Sequence, residues 1–403
     1  MNKVFKFIFA LIPAMLIGLY GINYNMKSFS AVNAEIRNEE KTESVYFIGD
    51  TDRTGCDYPI SAGEAVLETT TERVLFAHNE NARLPMASTT KIMTALIILE
   101  ECDPQVIITV PKETVGVEGS SIYLTEGEKI SVQNLLYGLM LRSGNDCAET
   151  LAVFHSGSIS RFVQRMNERA EEMGLKDTHF VNPHGLPASG HYTTAKELAL
   201  LTCKAMQNNQ FKKLVSTKSV VVPDGGCGYA RKLVNKNKML YNYQLADGVK
   251  TGYTKAAGRC LVSSATKDGM QIVCAVLNSP SMYERSAALM DKAFAEFSYE
   301  KIYDANKIYT LKTNVNTKFC RCKAKTDIYY PLRESEKKSI KLETELPKKL
   351  MLPVYTGDNI GNLKVYLENQ LIFSQKIDSI DTVKKTFTDI LHEISEKIIH
   401  KDI

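Results

Sequence analysis

From Ile92 to Leu99 the chain reads Ile-Met-Thr-Ala-Leu-Ile-Ile-Leu, a run in which Thr94 is the single polar side chain. Wound as a helix, this run is apolar on nearly every side, so it belongs in the middle of a domain with other elements packed around it. The helix starts near Ser88, and its first turn breaks the apolar rule. Ser88 and Lys91 are three residues apart and share one face, with Cβ atoms roughly 5–6 Å from each other. A hydroxyl and an amine are thereby held at the open end of a buried rod. Burial disfavours the ammonium form, so a lysine there can be neutral and take the proton of the serine as it attacks. The unpaired N–H groups of the helix start favour negative charge beside that serine. Serine is also an ordinary helix cap, so the meaning of the pair depends on the rest of the chain.

That rest is globular in composition, with 403 residues of which 44% are hydrophobic and 24% charged, enough for two or three domains. A formal charge of +4 and the lack of a basic run interleaved with aromatics point away from nucleic acid as a partner. Lys3 and Lys6 precede an apolar run from Phe7 to about Ile22, and Val32-Asn33-Ala34 offers a small-residue cleavage pattern. Residues 1–34 therefore read as a signal peptide, with an uncleaved anchor as the alternative. On either reading the body is exported. Losing three lysines and no acid takes the charge of the processed chain from +4 to +1.

Export permits disulfides, but nine cysteines is an odd number and none forms a Cys-x-x-Cys pair. Cys102, Cys147, Cys203 and Cys274 lie in apolar stretches and read as buried thiols, while Cys320 and Cys322 share one face of a strand. No histidine pair stands near them at ligand spacing, so no metal and no cofactor is expected.

In chain order, residues 35–60 are a polar linker, and two β-rich runs, 65–69 and 73–77, predict a hairpin ahead of the Ser88 helix. Ser131 caps a helix ending at Arg142, a second begins after Ser143-Gly144-Asn145, and a third runs from Ile159 to Met173. Ser143 and Asn145 thus fall on a tight interhelical loop. Thr194-x-x-Glu197 has the form of a capping box, and Ser281-x-x-Glu284 opens a helix to about Phe297. Between these, 248–254, 259–266 and 271–277 alternate as strands, with Asp268-Gly269 as a tight turn. Strands at both ends with helices between imply an antiparallel sheet closed by the two ends of the domain, which can bring Ser88, Ser143 and Lys250 together. The expected organisation is a domain over 61–300, then a small all-β domain over 305–378, then an amphipathic helix over 381–403. The strands of the β domain are placed at 308–311, 318–322, 328–330, 350–355, 364–367 and 371–376. Val383, Phe387, Ile390, Leu391, Ile394 and Ile398 would form the apolar face of the helix.

Three short motifs stand in order: Ser88-Thr-Thr-Lys91, Ser143-Gly-Asn145 and Lys250-Thr-Gly252. With Phe180-Val-Asn-Pro-His-Gly-Leu186 and Asp247-Gly-Val-Lys-Thr-Gly-Tyr-Thr254, the chain resembles the serine-type D-alanyl-D-alanine carboxypeptidases, low-molecular-mass penicillin-binding proteins of the bacterial envelope, over about 45–378. The resemblance implies an α/β (α+β) fold of the serine β-lactamase/transpeptidase type, an antiparallel sheet with a helical cluster. It implies Ser88 as the acylated nucleophile, Lys91 as its base and Ser143 as the proton relay to the departing D-alanine. Asn145 would hold the substrate amide, Lys250 and Thr251 the terminal carboxylate, and Gly252 would keep the strand edge clear. The N–H groups of Ser88 and Tyr253 would form the oxyanion hole. Arg285 matches a family arginine of unassigned role. The implied partners are peptidoglycan stem peptides ending in D-Ala-D-Ala and β-lactams, at an extracytoplasmic site.

Other readings have counter-signals. A class A β-lactamase would show Ser-Asp-Asn at 143–145 and a glutamate near 179, where this chain offers Asp177. A penicillin sensor would need further membrane spans, and a wall-binding module without activity would lack Ser88, Lys91 or Lys250. A D,D-endopeptidase shares every motif and stays open. His184 and His191 invite a histidine triad, which the lysine makes unnecessary. The helix at 381–403 has mixed charges on its polar face and no tryptophan, leaving membrane contact and packing on the protein as equal expectations.

Overall fold

In the computed structural model, residues 59–315 and 317–391 are described. The first strands are β1 (Gly63–Glu68), all six residues buried, and β2 (Val74–His78). A 3-10 turn at Ala87–Thr90 then leads into helix α1 (Lys91–Glu101), whose first nine residues are buried. The sequence predicts one helix from Ser88; the structure winds residues 87–90 more tightly and begins the α-helix at Lys91. Next come β3 (Ile107–Thr109), β4 (Lys129–Ser131), α2 (Val132–Leu141), α3 (Asn145–Ser156) and α4 (Ile159–Glu172). They are followed by α5 (Ala195–Ala205), α6 (Asn209–Ser216), β5 (Ser219–Val222), β6 (Arg231–Val234) and α7 (Met239–Asn242). Three long strands, β7 (Ala246–Thr254), β8 (Gly258–Lys267) and β9 (Met270–Leu277), lead to α8 (Met282–Glu296).

The main sheet is antiparallel in the order β2-β1-β9-β8-β7. The first strand pairs with the last, Gly63 opposite Leu277 and Glu68 opposite Ile272, so the two ends of this region close the sheet. Both faces of its centre are covered. Ala65, Leu67, Val273, Ala275 and Leu277 pack into the helical cluster built around α1. Val66, Ile272, Cys274 and Val276 face the other way, onto Leu289, Met290 and Ala293 of α8. This double burial is why β9 reads as an unbroken apolar run. Across the second face Arg285 of α8, fully buried, meets Glu64 of β1 in a two-point ion pair, Nε to Oε1 and Nη2 to Oε2 both at 2.8 Å.

Beyond α8 the chain is all β: β10 (Ser298–Tyr303), β11 (Ile308–Lys312), β12 (Phe319–Ala324), β13 (Ile328–Leu332), β14 (Ile340–Glu345), β15 (Asn359–Leu367) and β16 (Gln370–Ser379). The order β11-β12-β16-β15-β14 forms a curled sheet, with β10 and β13 paired separately. Cys320 and Cys322 are both buried on β12, free thiols on one face. Expectation and structure part at several points. Residues 350–355 are no strand: Leu350 and Val354 make isolated bridges to Thr313 and Val383, and Pro353 between them lacks the N–H a ladder needs. Val383 is therefore a bridge residue and not the start of the terminal helix, which begins at residue 387; residues 392–403 lie outside the described residues. Thr194 caps α5 by accepting from Glu197 N, but the Glu197 carboxylate accepts from Asp177 N and the Thr178 hydroxyl, so half of the expected box forms. Ser281 precedes α8 without a side-chain cap bond. Residues 1–58, and with them the expected signal peptide and most of the expected linker, lie outside the described residues.

Candidate active site

The turn carrying Ser88 is held by its own hydroxyls. Thr89 Oγ1 donates to Met86 O at 2.6 Å and Thr90 Oγ1 to Ala87 O at 2.8 Å. Ala87 has φ +48°, the left-handed region. The segment Asn182–Leu186 runs beneath: a Cβ on Gly185 would fall 1.9 Å from Ala87 O, so glycine alone fits there. His191 Nδ1 accepts from Val181 N, which leaves Nε2 to donate to Thr90 Oγ1 at 2.8 Å. Burial lowers its pKa to about 4, so it is a neutral strut of this turn. His184 Nδ1 accepts from Leu186 N and Nε2 faces Glu149 at 3.2 Å. Neither histidine is hydrogen-bonded to Ser88.

Lys91 is fully buried, and its Nζ lies 3.0 Å from Ser88 Oγ, 2.7 Å from Asn145 Oδ1 and 2.6 Å from the carbonyl of His184. Burial pushes its pKa well below the ordinary lysine value, and the charge of Lys250 pushes it further. A neutral amine has two N–H bonds and one lone pair. It can donate to Asn145 and His184 and turn the lone pair to the Ser88 hydroxyl. Asn145 is the first residue of α3 rather than part of the loop. Its N–H donates to Ser120 O at 2.7 Å and Nδ2 to Glu118 O at 2.5 Å, which fixes Oδ1 toward Lys91. Ser143, two residues earlier, is 6% exposed with φ +64°, and its hydroxyl is not bonded to Ser88, Lys91 or Lys250. The structure places it on the same turn without linking it to them.

The third motif arrives on β7, the edge strand of the sheet. A Cβ on Gly252 would come within 3.1 Å of Met86 O, Ala87 Cβ and Ser88 N, so β7 passes directly against the nucleophile turn and glycine permits that approach. Clearance for the turn, rather than only for a substrate, is thus the role this contact gives Gly252. Lys250 is 2% exposed and donates from Nζ to Thr251 O at 2.8 Å. Burial, then the charge of Lys236, lowers its pKa to about 7. Thr251 is half-buried, and Tyr253 is exposed beyond Gly252.

Two contributors have no motif of their own. Lys236 follows β6, and its Nζ reaches Ser120 Oγ at 3.3 Å; its charge depresses both buried lysines. Asp146, next to Asn145 and buried, accepts from Ser121 Oγ, Ile122 N and Leu124 N, and so anchors the loop whose carbonyls hold Asn145. The position of Asp146 beside the second motif was the available sign for it; lysine 236, in Asn-Lys-Asn-Lys, gave none.

A family model described as D-alanyl-D-alanine carboxypeptidase matches residues 52–281, and a model of the penicillin-binding protein 5 C-terminal domain matches 297–385. The chain is 31% identical to D-alanyl-D-alanine carboxypeptidase DacF of Bacillus subtilis over 79% of its own length and 85% of the relative's. It is 29% identical to DacD of Escherichia coli over 80% and 87%. Among solved structures, penicillin binding protein 5 from Haemophilus influenzae superposes with a TM-score of 0.68 and 26% identity, covering 84% of this chain and 100% of that one. The chain therefore belongs to the D-alanyl-D-alanine carboxypeptidase family of penicillin-binding serine hydrolases.

Proposed function

We propose that Ser88 removes the terminal D-alanine from peptidoglycan stem peptides by way of an ester on its own hydroxyl. The observation that carries this reading is the buried Lys91 amine 3.0 Å from Ser88 Oγ, its pKa pushed well below the ordinary lysine value by burial. Lys91 takes the Ser88 proton as Oγ attacks the carbonyl of the penultimate D-alanine. The tetrahedral oxyanion is met by the N–H groups of Ser88 and Tyr253. Collapse breaks the peptide bond, the departing amine takes a proton through Ser143, and water then cleaves the ester. Lys250 and Thr251 hold the carboxylate of the departing residue, with Lys236 adding positive field at the rim. Asn145 fixes Lys91 and holds the substrate amide. A β-lactam, whose ring amide resembles the scissile bond, forms the same ester. Such a substrate places the enzyme outside the cytoplasm, and residues 381–403 are proposed to touch the membrane surface; Phe387 and Leu391, in their described part, are exposed.

The test is a carboxylate cycle. A charge-assisted bond contributes about 1.5–3 kcal/mol. Amidating the D-Ala-D-Ala terminus should therefore lower kcat/KM roughly ten- to a hundredfold. Lys250→Ala should cost much of the same factor, and the two together clearly less than their product. Strict additivity would mean that Lys250 and the carboxylate do not meet, and would favour an endopeptidase acting inside cross-linked peptides.

A further inference from the structure

Loop 118–124 carries the carbonyls that hold Asn145, the partner of Lys91, and at its crest Tyr123 is 75% exposed with φ +60°. The left-handed region is costly for a bulky residue, so the surroundings must impose it. On one side the buried Asp146 carboxylate accepts from Ile122 N and Leu124 N, both at 3.1 Å. On the other, buried Arg231 donates from Nε to Ile122 O and from Nη2 to Tyr123 O, both at 2.9 Å, while Glu128 neutralises it through Nη1 at 2.6 Å. Two buried charged groups thus fix the backbone around a side chain that itself faces solvent. The same guanidinium lies under a second exposed ring, with the centroid of Tyr229 5.0 Å from its Cζ. Tyr123, through its carbonyl, and Tyr229, through its ring, stand on one support as a shelf of two exposed aromatics. Ser120, whose carbonyl accepts from Asn145 N, is three residues from Tyr123, so the shelf begins within about 11 Å of that anchor.

We propose that Tyr123 and Tyr229 form a saccharide subsite, seating the C–H face of the wall sugar that carries the stem peptide. The inference rests on the carboxypeptidase reading. The four residues between the acyl carbonyl and the sugar span roughly 14 Å when extended, so a stem held at Asn145 is long enough for its sugar to reach the shelf. Tyrosine suits this occupant: its ring offers an apolar face, its hydroxyl pairs with sugar hydroxyl and acetamido groups, and two torsions cost little to order.

The experiment compares the free pentapeptide with the same peptide on its N-acetylglucosaminyl-N-acetylmuramoyl disaccharide, using the full chain. Tyr123→Gly removes the ring and tolerates the left-handed backbone, and it is combined with Tyr229→Ala. On the disaccharide substrate kcat/KM should fall about tenfold in the double variant, and on the free peptide it should stay within about twofold. Tyr123→Phe should retain most of the difference. Equal losses on the two substrates, or no loss on the disaccharide one, would overturn the subsite. Titration of peptide-free glycan strands into the Ser88→Ala chain reads the same shelf without turnover. Binding that weakens about tenfold in the double variant supports the subsite, and failure of the parent shelf to bind overturns it. If the parent enzyme hydrolyses neither substrate, the carboxypeptidase reading falls and the titration alone decides the subsite.

Discussion

Lys91 gathers three oxygens around one nitrogen, and its protonation decides what that cluster does. Charged, it donates to all three; neutral, it receives the Ser88 proton. Lys91→Arg keeps the charge but supplies no base near neutral pH, so acylation by penicillin should fall by orders of magnitude, read as the rate of adduct formation, while the circular dichroism spectrum is kept. Lys250 works in the opposite sense, because it must be charged to hold an anion. With its pKa lowered to about 7, it is protonated below that value and loses its charge above it. The kcat/KM profile on a free-carboxylate peptide should therefore fall near pH 7 as Lys250 loses its charge. The amidated peptide should lack that falling limb, and its persistence would mean that Lys250 does not meet the carboxylate. At this scale the three motifs were legible, because short spacings on a helix start, a turn and a strand carry their own geometry. Lys236 was not, since its role arises from a contact to Ser120 that no local spacing encodes, and Asp146 was marked only by its place beside the second motif.

Among elements, the pairing of β1 with β9 is what brings β7 against the Ser88 turn, and the buried Glu64–Arg285 pair locks α8 to that junction. Removing the Glu64 carboxylate takes a buried counter-charge away from Arg285. Glu64→Gln should therefore cost about 3–5 kcal/mol in urea unfolding, and Glu64→Leu combined with Arg285→Met should cost less than either single change. Equal or additive losses would show that the pair is not one unit. The hairpin, α1 and the β8–β9 turn could be read from the chain because their periodicity and the Asp268-Gly269 dipeptide are local signals. β14 was not read as a strand: in Ile-Lys-Leu-Glu-Thr-Glu only Ile340 and Leu342 carry an apolar alternation, and at a sheet edge the segment is exposed along most of its length, so its pairing with β15 makes it a strand. β10 was hidden by its position directly after α8, where the helical pattern leaves no break. The opposite error at 350–355 came from apolar residues around Pro353 that pack as an irregular segment against Cys320.

Across the whole molecule, the central sheet with its helical cluster presents the nucleophile, and the all-β region follows in chain order, tied to the first by contacts such as Arg73 with Glu336 and with Pro331 O. That layout followed from strands at both ends of 61–300 and strands alone after it, whereas the start of the terminal helix was obscured because Val383 fits a helical face as well as a bridge. If residues 381–403 contact lipid, deleting them should release the chain from membranes, measured by fractionation, with kcat/KM on soluble peptide unchanged; retention would point to the apolar run at 7–22 as an anchor. The central claim concerns a single bond, between Ser88 Oγ and an acyl group. Intact-mass measurement of the penicillin-treated protein, followed by peptide mapping, should show one drug-sized adduct per chain, on the peptide containing Ser88, persisting over hours and absent from Ser88→Ala. An adduct at another residue, or drug turned over with no ester on Ser88, would contradict the account.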